Sequence, residues 1–477
     1  MSTLSFARQV PVRHEVDVMV AGGGPAGVAA AVAAARQGAS VFLAEGQASF
    51  GGMGTCGMIP AFMEFADGEH FTAAGLGREV YDRLWDYGGA GPDDKRNSPY
   101  CHCSIRAEVL KRVYDDLVTA EKKIGFSFLT QVIGIECEGD VACGSVGRNQ
   151  ASPEPQVASS WLPQTTRQTT APGRVSHAIC HGKSGLFAVR AGVFVDATGD
   201  GDLAAWAGAP FEKGDPAGTM MPGTLCSLYA DIDWPTVRAS KPNVQEALDR
   251  AFADKVFSKE DRHLSGIWRT GEHTGGGNIG HLYGIDGTDE RSMTEGMLWG
   301  RKSLMEFVRF YRGYLKGYER MELIATGSLP GIRETRRVLG DYVLCLDDFH
   351  KRAVFEDEIG RYAYPVDIHP SGANQAAYAK FLEEWTNLRY KAGENYGLPY
   401  RCLTPRGLEN LLVAGRCISA DRHMQSSLRV MPCCYVTGQA AGTAAVMALS
   451  AAGRARAVNV KELQGRLKAA GAYLPNC

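Results

Sequence analysis

A glycine-rich turn near the N-terminus constrains the fold of this chain more than any other feature. Gly22, Gly24 and Gly27 form a Gly-x-Gly-x-x-Gly motif between a valine-rich segment (16–20) and an alanine-rich segment (28–37). In such a unit the first glycine permits a tight turn, the second lets a pyrophosphate approach the backbone, and the third lets the helix pack on the strand. The helix then begins beneath the phosphates, where its free N–H groups favour negative charge. The motif predicts a dinucleotide-binding βαβ unit.

An acidic residue follows the motif in the register that such a unit requires. Residues 40–44 are typical of a second strand, and Glu45 ends it. A carboxylate roughly 20 residues past the glycines accepts hydrogen bonds from the adenosine ribose.

A second copy of the glycine spacing occurs at Gly275, Gly277 and Gly280, but these residues follow a polar stretch and precede no helical pattern. We therefore expect no nucleotide at this second copy.

Three later segments favour a flavin nucleotide over a nicotinamide. Residues 51–55 form a second glycine-rich turn, which a long ribityl-isoalloxazine group needs and a nicotinamide dehydrogenase does not. Residues 193–199 indicate a buried strand that runs into Ala-Thr-Gly, and residues 411–415 indicate another that ends in glycine before Arg416. The nucleotide site is therefore expected to be assembled from separated segments.

Together with the first motif, these segments resemble the FAD-binding half of the glutathione-reductase-like flavoproteins. Residues 331–337, 364–369, 413–420 and 429–432 are similar to the fumarate-reductase-related type of FAD-dependent oxidoreductases, so the resemblance covers most of the chain. It implies non-covalent FAD and an α/β fold, in which a Rossmann-like FAD-binding domain of the glutathione-reductase type is assembled from discontinuous segments and carries an inserted α+β substrate domain. Because one fold serves many chemistries, the resemblance does not name a substrate.

The composition along the chain suggests where these domains lie. We assign residues 15–205 and 401–455 to the FAD-binding domain, and residues 206–400, which are rich in Trp, Tyr, Arg and His, to the substrate domain. Between about 140 and 176 the chain changes to Ser, Thr, Gln, Pro and Gly with few periodic apolar residues. Such a composition predicts a mobile surface insertion.

The resemblance implies FAD contacts in each glycine-bearing segment and on the adenine side. Reduced flavin carries negative charge near N1, and Arg429 with a helix that starts at Pro432 would place a positive field there. The expected contacts are Gly22, Gly24, Pro25, Ala26, Gly27, Glu45, Gly52, Met53, Thr55, Arg106, Val132, Ala197, Thr198, Gly199, Gly415, Arg416, Arg429, Val430 and Met431.

Four side chains are candidates for proton transfer, because removal of a hydride from an alcohol or amine also requires a base. They are His281, Tyr283, Tyr364 and His369. We favour His281 over His369, because the glycine-rich loop 275–280 before it could bring it close to the flavin. A purely structural role is the alternative for each of them.

An arginine cluster is the candidate anion site. Arg333, Arg336 and Arg337 would share one face if their segment is helical. Guanidinium groups bind carboxylates in a bidentate manner, so the cluster would suit a substrate carboxylate or enolate oxygen. A salt-bridge network with Glu334 and Asp341 is the alternative.

Charge and cysteine usage exclude several classes of function. The net charge is −2, so neither nucleic acid nor an anionic membrane surface is an obvious partner. Neither a secretory signal nor a membrane-spanning apolar segment is visible, which favours the cytoplasm.

The thirteen cysteines contain no Cys-x-x-Cys pair, so we expect no metal site or iron–sulfur cluster. Cys56 has no second thiol nearby, which argues against a disulfide reductase.

These observations predict an FAD-dependent oxidoreductase, a dehydrogenase or oxidase that transfers a hydride from a small polar organic substrate, with an anion as one candidate. No second nucleotide unit is visible, so the electrons would leave to oxygen or a soluble acceptor. An electron-transfer subunit working with an iron–sulfur partner protein is the alternative, and a flavin-binding sensor or structural protein is a third reading. A homo-oligomer is compatible with each of them.

Overall fold

The computed structural model describes residue 4, residues 7–138 and residues 173–477. The insertion expected at about 140–176 therefore lies outside the described residues, apart from its last four. The strands are β1 (Val12–Ala21), β2 (Val41–Ala44), β3 (Ala61–Phe62), β4 (Cys103–Ser104), β5 (Ile124–Ser127), β6 (Gln131–Cys137), β7 (Val175–Gly182), β8 (Gly185–Asp196), β9 (Phe211–Lys213), β10 (Ser227–Ala230), β11 (Gly266–Arg269), β12 (Gly275–Asn278), β13 (Glu322–Thr326), β14 (Arg336–Val338), β15 (Glu358–Tyr362), β16 (Tyr396–Pro399) and β17 (Leu411–Val413).

The helices surround these strands and end the chain. They are α1 (Pro25–Arg36), α2 (Leu76–Asp86), α3 (Ala107–Thr119), α4 (Asp202–Trp206), α5 (Trp234–Ser240), α6 (Val244–Ala253), α7 (Glu290–Tyr314), α8 (Leu346–Lys351), α9 (Gln375–Asn387), α10 (Arg422–Leu428), α11 (Met431–Ser450) and α12 (Val460–Ala469). In the residues described, none of the helices combines the length and the apolar composition needed to cross a bilayer.

A seven-stranded mixed sheet lies at the centre, in the order β5-β2-β1-β8-β7-β6 with β17 also paired to β8. The strands β5, β2, β1, β8 and β17 run parallel, whereas β7 is antiparallel to its neighbour β8 and β6 is antiparallel to its neighbour β7. Buried apolar side chains fill the second half of β1 and all of β2, as expected of parallel strands covered on both faces. The α/β class predicted from the glycine motif is confirmed.

Two helices far apart in the chain cover one region of this sheet together. The helix α1 packs against α11, where a Cβ atom at Gly438 would lie 2.2 Å from the carbonyl oxygen of Ala26. One turn later, a Cβ atom at Gly442 would lie 2.1 Å from the carbonyl oxygen of Ala30. Only glycine permits this separation, so α11 is held against the first βαβ unit.

A second, smaller core lies beside the first. It contains buried apolar residues from Leu225 to Ile332, packed around the antiparallel sheet β11-β12-β10-β13 and the helices α6 and α7. From Val338 onward the buried apolar residues join the first core again. The proposed substrate domain of residues 206–400 thus contributes to both cores.

The segment 331–337, for which a shared arginine face would require a helix, is not helical. Arg336–Val338 is the strand β14, which pairs antiparallel with β9. The second glycine copy is the strand β12 of an antiparallel sheet rather than a turn before a helix. Arginines spaced by three and four residues imitate a helical face, but the segment lacks the apolar periodicity that stabilises a helix by burial.

Candidate active site

One cavity of about 820 Å³ opens at the carboxyl ends of the parallel strands β1, β8 and β17. Ligands of open α/β sheets bind in this position, and the volume lies in the range of small-molecule and cofactor sites. Its walls come from the glycine turn after β1, the turn after β8, the start of α11 and the second core. The cavity therefore joins the nucleotide segments to the expected substrate region.

The structure brings the predicted FAD contacts together around this cavity. Gly27, Thr55 and Arg106 do not line it, whereas the other predicted contacts do. Gly27 lies against the first turn, because a Cβ atom there would lie 1.7 Å from the carbonyl oxygen of Gly22. Thr55 donates a hydrogen bond to the carbonyl of Phe50 at 2.6 Å. These residues shape the turns instead of facing a ligand.

Arg106 joins the two parts of the molecule. Its Nε donates a hydrogen bond to the carbonyl oxygen of Thr270 at 2.7 Å, between β11 and β12. Its backbone carbonyl accepts from the N–H groups of Val109 and Leu110 at the start of α3. The side chain thus holds the second sheet against the first domain.

The turn after β1 leaves room for a phosphate group. Gly22 has a φ of 92°, a conformation that favours glycine, and a Cβ atom at Gly24 would meet no atom within 4 Å. The helix α1 has Gly24 as its N-cap, no side-chain hydrogen bond at the cap and no acidic residue in its first turn. Its first N–H groups are therefore available to an anion.

The buried carboxylate of Glu45 lies at the ribose end of this turn. It accepts hydrogen bonds from the N–H of Gly23 at 2.7 Å and of Gln47 at 2.6 Å. Burial raises the pKa of Glu45 despite these two N–H donors. A carboxylate at the end of the second strand suits the ribose hydroxyls of an adenosine. The residues of this end fit FAD.

The start of α11 forms the opposite end of the predicted FAD site. Val430 and Met431 line the cavity, and the N-cap residue Val430 makes no side-chain hydrogen bond to the helix. The guanidinium of Arg429 donates to the carboxylate of Asp367 at 2.9 Å, so part of the expected positive field is neutralised. Arg416 is bound to Asp200 at 2.6 Å. The uncapped helix start is the main positive feature facing the cavity here.

Arg333 is separate from the other two predicted arginines. Arg336 forms an ion pair with Asp202 at 2.7 Å, and Arg337 forms one with Glu334 at 2.5 Å. The condition for a shared face is not met, because the segment is not helical and Arg336 and Arg337 are neighbours in β14, where adjacent side chains point to opposite faces. Only Arg333 of the three lines the cavity.

The guanidinium of Arg333 is buried and bound only to neutral groups. It donates to the carbonyl of Pro222 at 2.7 Å, to the Thr224 hydroxyl at 2.9 Å and to Asn278 Oδ1 at 3.3 Å. Within residues 7–138 and 173–477, no carboxylate lies within ion-pair distance of it. Burial, together with the charge of Arg429, lowers the pKa of Arg333 to about 10. It therefore remains a cation at neutral pH.

Of the predicted proton-transfer residues, His369 and Tyr364 line the cavity, whereas His281 and Tyr283 do not. His281 lies behind His369, and its Nε2 is 3.1 Å from His369 Nδ1. The Tyr283 hydroxyl donates to Asp261 at 3.1 Å. The placement therefore favours His369, not His281, as the residue that can reach a substrate.

Charges around His369 keep it neutral before a reaction. Burial, followed by the positive charge of Arg333, holds the pKa of His369 well below its usual value. Burial would raise the pKa of Asp367, but His369, Arg429 and Arg333 together lower it well below its usual value. A neutral imidazole thus lies beside an ionised carboxylate, with 3.5 Å between His369 Nε2 and Asp367 Oδ1.

The sequence reasoning missed several cavity residues. Glu64 lines the wall, and its burial raises the pKa of its carboxyl group to about 7. No local pattern marks this residue. The α9 side chains Tyr378, Phe381 and Trp385 also line the cavity, and their spacing of three and four residues is a helical signal that could have been found.

His263 completes a cluster of three imidazoles. One nitrogen each of His263, His281 and His369 lies within 4.8 Å of the others. Burial lowers the pKa of His263 to about 3, and its Nδ1 has no hydrogen-bond partner among the described residues. His263 also packs against Phe381, with ring centroids 4.1 Å apart.

Comparisons with known proteins agree with this geometry. The family described as FAD dependent oxidoreductase matches residues 17–467. No curated protein matches the chain.

Solved structures give weak matches over most of the chain. A geranylgeranyl bacteriochlorophyll reductase-like protein from Thermoplasma acidophilum is 12% identical with a TM-score of 0.45, covering 96% of this chain and 83% of that chain. The p-nitrophenol 4-monooxygenase PnpA from Pseudomonas putida DLL-E4 is 10% identical with a TM-score of 0.42, and the match covers 95% of this chain and 84% of that chain. The myxobacterial chondrochloren halogenase CndH is 12% identical with a TM-score of 0.39, and the match covers 95% of this chain and 78% of that chain.

Proposed function

The chain belongs to the family of FAD-dependent oxidoreductases, and from this premise we propose that it oxidises a small organic anion by hydride transfer. FAD supplies the hydride acceptor when it is bound. The chain's own residues bind the anion, orient it and take up the proton that leaves with the hydride. Family membership fixes the enzyme class and the cofactor, whereas the substrate class is our proposal.

The buried cation Arg333, which has no carboxylate within ion-pair distance among the described residues, carries this proposal. Asp367 and Asp261 act on its charge without contacting it, and burial of a charge is compensated by direct pairing and hydrogen bonds. The described partners of Arg333 are two oxygens of neutral groups near β10 and the Asn278 amide, while its side chain also faces the cavity. A substrate carboxylate would supply the missing charge and accept two parallel N–H bonds.

The neighbouring side chains suit the remainder of such a substrate. His369 lines the same cavity and is neutral, so it can accept a proton from a substrate hydroxyl or amine. Trp268 and the α9 aromatic side chains of Phe381 and Trp385 line the wall as well. These rings favour an anion with an apolar portion, because aromatic side chains contribute large apolar contact areas.

Several finer predictions stay part of the proposal. They are the glutathione-reductase type of the FAD-binding domain (15–205 and 401–455), the substrate domain at 206–400, a cytoplasmic location, a homo-oligomer, and oxygen or a soluble molecule as the electron acceptor.

An anaerobic reduction assay tests the proposed substrate class. The FAD-loaded protein is mixed with small hydroxy and amino carboxylic acids, each paired with the amide or methyl ester of the same skeleton, and bleaching of the flavin absorbance is followed. We expect the carboxylates to reduce the flavin and the neutral partners to do so far more weakly. Equal reduction by both members of each pair would contradict the proposal.

The Arg333→Gln variant then identifies the residue responsible. Loss of a hydrogen bond to a charged group corresponds to about 1.5–3 kcal/mol, so the Kd for the carboxylate should rise about 10- to 150-fold while the FAD content stays the same. Arg320→Gln is the matched control, because Arg320 forms an exposed ion pair with Asp231. An unchanged Kd in Arg333→Gln would remove Arg333 from the binding site.

A further inference from the structure

We propose that Asp261 and His281 fix the hydrogen of His369 on Nδ1, so that its Nε2 is the atom that accepts the substrate proton. In this arrangement Asp261 and His281 are positioning residues, and His369 is the catalytic residue. The inference deepens the proposed function and rests on it for the source of the proton. The arrangement of hydrogens itself can be tested without any substrate.

The first step is the bond between Asp261 and His281. The Asp261 carboxylate lies 2.9 and 3.1 Å from His281 Nδ1 and also accepts from the His281 backbone N–H at 2.7 Å. The Tyr283 hydroxyl donates to the same carboxylate at 3.1 Å. Burial would raise the pKa of Asp261, but His281, its backbone N–H and Tyr283 lower it. An ionised carboxylate can only accept hydrogen bonds, so the hydrogen must be on His281 Nδ1.

The second step passes this assignment to His369. In the proposed arrangement His281 carries one hydrogen, on Nδ1, so its Nε2 is an acceptor. It lies 3.1 Å from His369 Nδ1, whereas His369 Nε2 lies 3.5 Å from Asp367 Oδ1, so the single hydrogen of His369 belongs in the shorter of the two contacts. His369 therefore donates from Nδ1, and its Nε2 is left as a lone pair. His369 lines the cavity, and in the proposed arrangement a molecule bound there donates to this lone pair.

The third step concerns the protonated state of His369. Asp367 Oδ1 lies 3.5 Å from His369 Nε2, and the guanidinium of Arg429 holds the same carboxylate at 2.9 Å. When the substrate is oxidised, its C–H bond breaks and the hydride goes to FAD, while its O–H or N–H bond breaks and a new Nε2–H bond forms on His369. Asp367 then faces an imidazolium, which it stabilises.

A cation shared by the three histidines is the competing arrangement. The cluster with His263 would allow it by distance, since one nitrogen of each lies within 4.8 Å of the others. The buried charge of Arg333 acts against it, because this charge lowers the pKa of both His263 and His369. A divalent ion would meet the same repulsion, so we favour the chain of hydrogen bonds.

Nitrogen-15 NMR of histidine-labelled, oxidised holoprotein tests the inference directly. His369 is assigned by comparison with His369→Gln. We expect Nδ1 of His369 to give an N–H type signal and Nε2 a lone-pair signal in the wild-type protein. A hydrogen on Nε2, hydrogens on both nitrogens, or a stoichiometric transition metal ion that is lost in His281→Gln would each overturn the inference.

The Asp261→Asn variant should reverse the assignment. An asparagine amide can donate to His281 Nδ1, which moves the hydrogens to Nε2 of both histidines and blocks proton uptake. The His369 signals should exchange types, and the rate constant of flavin reduction at saturating substrate should fall about 10²- to 10⁴-fold with an unchanged substrate Kd. Asp231→Asn, at an exposed ion pair, is the matched control and should leave both unchanged.

The two readouts separate failure of the inference from failure of the proposed function. If no carboxylate reduces the flavin but the His369 signals agree with the assignment, only the proposed substrate is wrong. If carboxylates reduce the flavin in Asp261→Asn as fast as in the wild-type protein, the inference is wrong and the substrate class stands. Asp261→Glu, which keeps an accepting carboxylate, should restore the wild-type His369 signals.

Discussion

At the residue scale, the cavity wall combines an unpaired cation with an acid that is easily protonated. Arg333 has only neutral partners, and Glu64 has no hydrogen bond to its carboxyl group among the described residues, where the Tyr362 hydroxyl binds its backbone carbonyl instead. Burial raises the pKa of Glu64 to about 7, although the charge of Arg389 opposes this. The wall thus changes its net charge near neutral pH through Glu64.

The first residue-scale prediction concerns Glu64→Gln and stability. The folded-state pKa of Glu64, about 7, lies above the ordinary glutamate value of 4.5, so the folded protein keeps a proton that the unfolded chain releases. This contribution is complete below about pH 4.5 and is lost as the pH rises through 7. From pH 5 to pH 8 the wild-type protein should therefore lose at most about 3 kcal/mol relative to Glu64→Gln.

Denaturant unfolding of both proteins at pH 5 and pH 8, each with the same excess of FAD, measures this difference. Equal changes in the free energy of unfolding between the two pH values would show that the Glu64 carboxyl group is ionised throughout.

The sequence predicted residues whose roles depend on local spacing and missed those that depend on distant contacts. Gly22, Gly24 and Glu45 follow from the geometry of one βαβ unit, and all three line the cavity. The preference for His281 over His369 relied on the loop before it. Which of the two histidines lies nearer the cavity is set by the contact between them. They are 88 positions apart in the sequence, so no local pattern contains this information.

At the element scale, the close contact of α1 and α11 determines whether the two ends of the FAD site meet. Each helix begins at the cavity without a side-chain hydrogen bond at its N-cap. Gly438 and Gly442 lie directly over the carbonyl groups of α1. Separation of the helices would therefore move both uncapped helix starts.

The element-scale prediction is a pair of glycine substitutions. Gly442→Ala should destabilise the protein by about 1–3 kcal/mol, because a Cβ atom would meet the Ala30 carbonyl oxygen at 2.1 Å and force the helices apart. Gly465→Ala in α12 is the matched control, since a Cβ atom there meets nothing within 4 Å and alanine favours a helix by about 1 kcal/mol.

Thermal unfolding and FAD titration of the two variants check this contrast. We expect a lower Tm and weaker FAD binding only in Gly442→Ala, and an unchanged or higher Tm in Gly465→Ala. Equal effects in both would mean that the contact between α1 and α11 tolerates a larger separation.

Elements with a strong periodic pattern were predicted close to their observed bounds. The alanine-rich segment 28–37 corresponds to α1 (Pro25–Arg36). The strand β14 could not be predicted, because its partner β9 lies more than a hundred residues earlier and neither strand has an apolar alternation of its own. Pairing between such short strands is decided by tertiary contacts.

At the scale of the whole molecule, two hydrophobic cores meet at one cavity. The first core includes the central sheet and both helices at the nucleotide end, and the second surrounds the antiparallel sheet. FAD bound at the predicted contacts would touch several segments of the first core at once. If FAD binds the folded state and not the unfolded chain, it raises the free energy of unfolding by mass action.

The whole-molecule prediction is that removal of FAD lowers stability and that its return restores it. At a free FAD concentration one hundred times the Kd, the stabilisation should be about 2.7 kcal/mol, and the Tm should rise with FAD concentration. Calorimetry of the apoprotein with increasing FAD measures this, with adenosine as a control ligand that lacks the flavin and pyrophosphate groups. A Tm that does not depend on FAD would contradict the predicted cofactor site.

The pairing of β17 with β8, followed by α11, also restricts when the cofactor can be captured during biosynthesis. The phosphate turn leaves the ribosome early, but the other end of the pocket is encoded by residues 411–434. A nascent chain can therefore hold the nucleotide only after residues 411–434 have also been translated. A message interrupted before the codon for Leu411 should yield colourless polypeptide, even though it contains the entire glycine motif.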